Sequence, residues 1–433
     1  MKKQLLSLLF ATMLLVSCTE SNPLLQEWNT PFGIPPFEDV KSEHYMPAFK
    51  EALKQHKAEI DAIINSTEPA TFENTIAAYD NAGELYSKVS AVFSSASSVA
   101  SNDEIIAIAQ ELSPISSAHF NEIRLSDELF ARIKSVYDAK DSLDLNENQL
   151  RLLEDTYKSF ERNGATLSPE KKEQLKAVNS EISALQLTFG QNMLKETAAW
   201  TLLIDNEEDL AGLSEGQIME AASRAEASGN AGKWQFGLDN PSVMPFLESA
   251  DNRDLRRQML NAYLNRCNNN NEQDNKEIIK NLVTKRLEKA QILGYENYAE
   301  YVLEERMAKT PEAVYDLLNQ LWGPALKVAK QELDDMTKIA KREGVSLPLE
   351  ASDWRYYFAK AKQEKYNISE EETKPYFQLE NVREGIFYLT NKLYGITFTQ
   401  VENVPLPHPE AVVYECKDED GTHLGLLFMD MYA

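Results

Sequence analysis

Residues that build catalytic centres are scarce in this chain of 433 residues, which has five histidines and three cysteines. No two of the histidines, His44, His56, His119, His408 and His423, stand four residues apart, the spacing that sets two imidazoles on one helix face for a single metal ion. There is no G-x-S-x-G elbow, no cysteine–histidine signature and no glycine-rich phosphate loop, so the familiar nucleophile and nucleotide sites are excluded. No repeat of solenoid period and no long low-complexity segment occurs. Positive charge is also short: 44 Lys plus Arg face 69 Asp plus Glu, a net charge of −25, with no basic cluster. Nucleic acid and an anionic membrane surface are thereby excluded as main partners, because phosphate binding needs clustered cations.

What is present is apolar content of 43%, enough for a large core and, at this length, two or three sub-domains. The first residues, MKKQLLSLLFATMLLVSC, join two lysines to an apolar run too short to span a bilayer. LVSC (15–18) resembles the bacterial lipobox, in which Cys18 is acylated and residues 1–17 are removed; an ordinary secretory signal that happens to contain a cysteine is the alternative. The expectation is a protein of the bacterial cell envelope, facing the periplasm or exterior and held to the membrane only by its lipid. No later apolar stretch is long enough to span. Cys267 and Cys416 then remain, in unlike contexts, and read as buried or idle thiols.

Residues 18–40 read as a tether and an extended arm, whose prolines forbid a regular helix while Leu24, Trp28, Phe32 and Phe37 call for burial. Apolar residues then recur at helical steps from about Ser42, and again from Phe72 through Ile76, Tyr79, Leu85, Val89 and Phe93 as one continuous stripe, with Thr71 as its cap. Further helices are expected over residues 103–113, 127–139 and 146–162, and after Ser168-Pro169. WTLLI (200–204) and KWQFGL (233–238) read as short strands flanking a helix opened by Ser214 and Gln217 in capping-box spacing. Helices resume over 245–342, interrupted by the polar run CNNNNEQDN (267–275), a solvated loop.

Each possible site has a plainer explanation. His44 and His56 lie on one helical run three turns apart, too far to share an ion; His408 and His423 flank a strand and lack a third ligand. The acidic stretch NISEEETKPYF (367–377) reads as a helix start, with Ser369 as cap and three glutamates at the positive end of the dipole. Trp354, Tyr356, Tyr357 and Phe358 fit a packed helix face, a role compatible with lining a peptide channel.

The last stretch runs from DWRYYFAKAKQEKYNISEEETKPYF through REGIFYLTNKLYGITF to two apolar, strand-like runs, AVVYEC (411–416) and GLLFMDMYA (425–433), and reads as folded structure interrupted at Ala433. With NTPFGIPPFEDVKSEHYMPAF (29–49), FENTIAAYDNAGELYSKVSAVF (72–93), SFERNGATLSPEKKEQL (159–175) and RLEKAQILGYENYAEYVLEERMAKTPEAV (286–314), it resembles the thimet oligopeptidase family of zinc metallopeptidases, most of all its bacterial peptidyl-dipeptidase (dipeptidyl carboxypeptidase) branch. The resemblance implies a mainly α fold: the N-terminal helical lobe of a zincin-type oligopeptidase, with a small β element, incomplete at the C-terminus. It divides the chain into helical residues 41–199, a β element with helices over 200–350, and 351–433 as the start of a catalytic region that stops before the zinc motif.

In that family, zinc is held by His-Glu-x-x-His and a later glutamate, and a deep channel admits short peptides. No His-Glu-x-x-His occurs here, so no catalytic and no metal-binding residue carries over, and Cys18 is the one modified position expected. The expected function is the N-terminal portion of a lipid-anchored peptidase that hydrolyses oligopeptides when complete. Zinc is expected for the complete family member and not bound by this chain. Expected partners are oligopeptides, through one wall of the channel, and a separate C-terminal portion. The rival reading is a non-catalytic peptide-binding or structural lipoprotein.

Overall fold

The computed structural model describes residues 22–99, 102–368 and 370–431, so Cys18 and Ser369 lie outside the described residues. The fold is mainly α with two small antiparallel sheets. Two compact units divide it, one of residues up to 166 together with those from 386 onward, the other of residues 167–385.

The first unit starts with α1 (Ser42–Ile64), whose buried positions Tyr45, Phe49, Leu53, His56, Ile60 and Ile63 follow helical steps. Next come a π-helical turn, Phe72–Ala77, and the short α2 (Ala78–Asn81), then α3 (Glu84–Val99). Thr71 does cap this segment, exchanging hydrogen bonds with Asn74 of 3.1 and 2.8 Å. The stripe expected as one helix is broken after Asn81, where Ala82 is extended and Gly83 takes φ +83°. That break sends Phe72 and Ile76 into one apolar cluster with Ile60, Ile133 and Phe160, and Val89 and Phe93 into another with Tyr45, Phe49 and Ile105.

α4 (Asp103–Arg124) runs a full eleven residues past the expected end at 113, with Pro114 inside it. α5 (Asp127–Asp138) and α6 (Glu147–Arg162) follow. Arg132 of α5 ties the loop before the π turn in place by donating to the Ser66 and Glu68 carbonyls, both at 3.2 Å.

The second unit opens with α7 (Pro169–Ala199), capped by Ser168. β1 (Leu202–Ile204) and β2 (Trp234–Phe236) pair antiparallel around α8 (Glu215–Ala227), which begins with the expected reciprocal Ser214–Gln217 capping box. α9 (Asn240–Ser249) and α10 (Arg253–Leu264) close over them, burying Phe236, Val243, Phe246 and Met259 in a single core. α11 (Lys276–Ile292), α12 (Tyr298–Leu303), α13 (Pro311–Arg342), α14 (Trp354–Tyr366) and α15 (Glu370–Thr373) follow.

The asparagine run ahead of α11 is more than a solvated loop. The Cys267 N–H and the side-chain amides of Asn269 and Asn271 all donate to the Glu196 carboxylate on α7, and the buried Asn275 donates to the Phe189 carbonyl at 3.2 Å. Burial would push the Glu196 carboxyl up, but these donors hold it below the usual range. The free thiol of Cys267, buried and close to that carboxylate, is pushed up to about 11. Native protein at pH 8 is therefore expected to leave Cys267 unmodified by iodoacetamide, and urea-unfolded protein to react at once; mass spectrometry of the Cys267 peptide checks this.

Chain and core return to the first unit through α16 (Leu379–Tyr394), which starts on the other side of the division. β3 (Thr397–Val401), β4 (Val412–Lys417) and β5 (His423–Met429) form an antiparallel sheet with β4 in the middle. β3 had no counterpart in the sequence reading; it is exposed at Thr397, Thr399 and Gln400 and has no apolar run. The N-terminal arm folds as short 3-10 turns and lies on this sheet, with Ile34 buried against Val404 and Val413, and Phe37 edge-on to Phe428 at 6.4 Å. Phe32, expected to be buried, is half exposed and instead stacks on the His423 ring at 5.5 Å.

Candidate peptide-contacting face of α14

The residues that set α14 lie on either side of a single carboxylate. Asp353 is fully buried; its Oδ1 accepts from Arg253 Nε and Arg256 Nη2, both at 3.0 Å, while Oδ2 accepts from the Glu350 N–H at 2.8 Å and from Arg253 Nη2. Arg256 also donates to the carbonyls of Ala250 and Asp251, at 2.7 and 3.0 Å, and lies 3.9 Å over the Tyr356 ring. The Tyr356 hydroxyl in turn donates to Asp251 Oδ1 at 2.6 Å. Burial pushes the Asp353 carboxyl up, and the hydrogen bonds from Arg253, the Glu350 amide and Arg256 outweigh it, leaving the group below the usual carboxylate range. Every lone pair is satisfied, so this cluster fixes α14 on α10 and offers no free acid or base.

Orientation follows from that anchor. Tyr356 and Tyr357 point into the core with Met336, Ile339 and Ala340 of α13, and Tyr357 donates to Glu343 at 3.1 Å, its phenol pushed up to about 12 by burial and by that carboxylate. Trp354 and Phe358 face outward, 40% and 41% exposed. The aromatic group thus packs on one side, as expected of a helix face, and stands open on the other. Phe358 lines a groove of about 650 Å³ between α13 and α14, together with Asp335, Ile339, Arg342, Glu364 and Tyr366. Trp354 lines two smaller depressions of about 280 and 310 Å³, one beside Glu248 and Lys362, the other over Leu247, Leu260 and Leu264. Aromatic and apolar walls with charges of both signs are suited to a short peptide, which presents both kinds of group.

The histidines meet other partners. His44 Nδ1 accepts from the Lys41 N–H at 3.0 Å, and His408 Nδ1 from the Glu410 N–H at 3.3 Å. His423 meets Glu415 at 3.0 Å. His56 and His119 touch one another, ring nitrogens 3.0 Å apart, a pairing that sequence spacing did not show. Among the described residues no group of three or more His, Cys, Asp or Glu could hold a metal ion.

Comparison with known proteins assigns the class. The sequence pattern of peptidase family M3 matches residues 246–433, and similarity to curated members extends over 95% of the chain. The chain is similar to members of peptidase family M3. It is 34% identical over 414 residues to the dipeptidyl carboxypeptidase of Salmonella typhimurium and 33% identical over 416 residues to that of Escherichia coli. Oligopeptidase A of Salmonella typhimurium is 31% identical over 417 residues. The chain spans 61% of the length of each of these relatives.

Proposed function

We propose that this chain is the peptide-contacting front part of a lipid-anchored zinc peptidase that trims oligopeptides, and that cleavage requires a further segment bringing the metal ligands. The observation that supports it most is α13. Tyr315, Leu318, Leu321, Trp322 and Val328 are each at least half exposed along one helix, a quantity of apolar surface that marks an interface. The relatives' names, dipeptidyl carboxypeptidase and oligopeptidase A, supply the substrate class. The donor set among the described residues does not fit a zinc ion, so no step of hydrolysis is assigned to them.

The anchor in this reading is acylated Cys18, and the compartment is the cell envelope. Among the described residues no helix is long and apolar enough to cross a membrane.

The test is complementation. The chain is mixed with a separately produced segment corresponding to the remaining length of the dipeptidyl carboxypeptidase relatives. Zinc-dependent cleavage of a short peptide and a fall in hydrophobic-dye fluorescence are expected together. Absence of both changes would overturn the proposal. The open face of α14 favours a second reading, a non-catalytic peptide-binding lipoprotein, under which the chain alone binds oligopeptides, leaves them intact and shows little dye binding from the start.

A further inference from the structure

The helices α1 to α6 of the first unit hold two apolar clusters, and a polar layer separates them. On α1, Tyr45 and Phe49 belong to one cluster and Ile60 and Ile63 to the other, with His56 between. On α4, Ile105 and Leu112 belong to the first and Ile123 to the second, with His119 between. The third element crossing the seam is the turn at Gly83, set between Ile76 and Val89. A Cβ at Gly83 would come within 3.1 Å of His56 Nδ1, so the turn lies directly against the ring, and the Gly83 N–H donates to Glu59 Oε2 at 2.7 Å. His119 Nε2 and His56 Nδ1 are 3.0 Å apart, and Phe120 packs on both rings, at 5.2 and 5.8 Å.

We propose that the His56–His119 pair is a proton-operated latch that holds α1, the Gly83 turn and α4 together across this seam. A neutral pair has one N–H and one lone pair facing each other and makes a good hydrogen bond. One added proton places a charge in a site where His56 is only 7% exposed. A second leaves two N–H donors and two positive charges face to face, which cannot bond, and the seam opens.

The charged groups around the pair set the balance. At His56, burial lowers proton affinity and Glu59 opposes it. At His119, burial lowers it first, then His56 itself, against Glu122, while Lys57 adds to the lowering. Lys57 is occupied by Asp61 and Glu122, at 3.2 and 3.3 Å. Both imidazoles lie below the ordinary value of about 6.5, so the unfolded chain binds more protons below that pH. The latch's contribution is therefore fully present above about pH 6.5 and is lost as pH falls through the folded-state values. The two rings titrate as a unit in two steps.

Amide hydrogen exchange on the full chain tests the latch. Between pH 7.5 and 5.0, after correction for intrinsic rates, protection around the Gly83 turn and the facing turns of α1 and α4 is expected to fall about fivefold, the scale of one net hydrogen bond. In the double variant His56→Gln/His119→Gln, which keeps hydrogen-bonding groups but cannot titrate, the fall should vanish. An equal fall in both proteins overturns the proposal, as does no fall in the parent. Should the variant not fold, imidazole NMR of the parent decides: two coupled steps, the lower clearly below the ordinary value, support the latch, and two independent titrations near 6.5 overturn it.

Discussion

Asp353→Ala is expected to destabilise the second unit by about 3–5 kcal/mol, because it leaves the guanidinium of Arg256, 1% exposed, buried without its counter-charge. Arg253, which contributes two of its nitrogens to the same carboxylate, loses its anchor as well. The loss should appear in urea denaturation as a lower midpoint, with Tyr356 and α14 loosened before the rest of the unit. Asp353→Asn keeps the shape and one acceptor, and should fall between the alanine variant and the parent. The parent's own pH dependence follows from the depressed carboxyl: the contribution is present above about 3.9 and is lost as pH falls through the folded value. An alanine variant within about 1 kcal/mol of the parent would mean that water reaches the arginines and that the cluster behaves as a surface pair.

Gly212→Ala is the second large effect, expected to cost roughly 2–6 kcal/mol from strained backbone and overpacking together. Gly212 has φ +89°, and a Cβ there would lie 2.1 Å from the Ser249 carbonyl oxygen and 2.9 Å from Asp251 Oδ1. Neither neighbour can yield cheaply. The Asp251 N–H donates to the Ala211 carbonyl at 2.8 Å, and its side chain accepts the Tyr356 hydroxyl, so displacing it disturbs the same anchor from the opposite side. Gly229→Ala serves as the control: φ is +81°, yet nothing lies within 4 Å of the added Cβ. Denaturation midpoints of the two variants separate conformational strain from collision. Equal losses would remove the collision from the explanation.

Features settled within three or four residues could be read directly. The Thr71 cap, the Ser214–Gln217 box, Ser168 before Pro169 and the strands around Leu202 and Trp234 all stand where local chemistry puts them. Features settled by distant partners could not. Pro114 lies inside α4, whose packing continues regardless, and so carries His119 onto the same face as Leu112 and Ile123. The stripe from Phe72 to Phe93 keeps helical spacing across Gly83 although its halves serve different cores, because periodicity registers apolar faces and not what they meet.

The α14 site was half visible for the same reason. Its aromatic residues stood out, whereas the arginines that saturate Asp353 are about a hundred residues upstream and carry no local mark. β3 escaped because TFTQV offers little apolar contrast, and its pairing with β4 supplies what its side chains do not.

The seating of the N-terminal arm on the C-terminal sheet has a consequence for synthesis. Ile34 leaves the ribosome early, but Val404, Val413 and Phe428, which cover it and its neighbour Phe37, are made only after the whole of the second unit. At about 5–20 residues per second the arm waits for roughly 20–80 s, while residues 167–385, one uninterrupted stretch, can fold in the meantime. The nascent chain thus finishes its middle before its beginning, and until the sheet arrives Ile34 and Phe37 are open to a chaperone, a protease or another nascent chain.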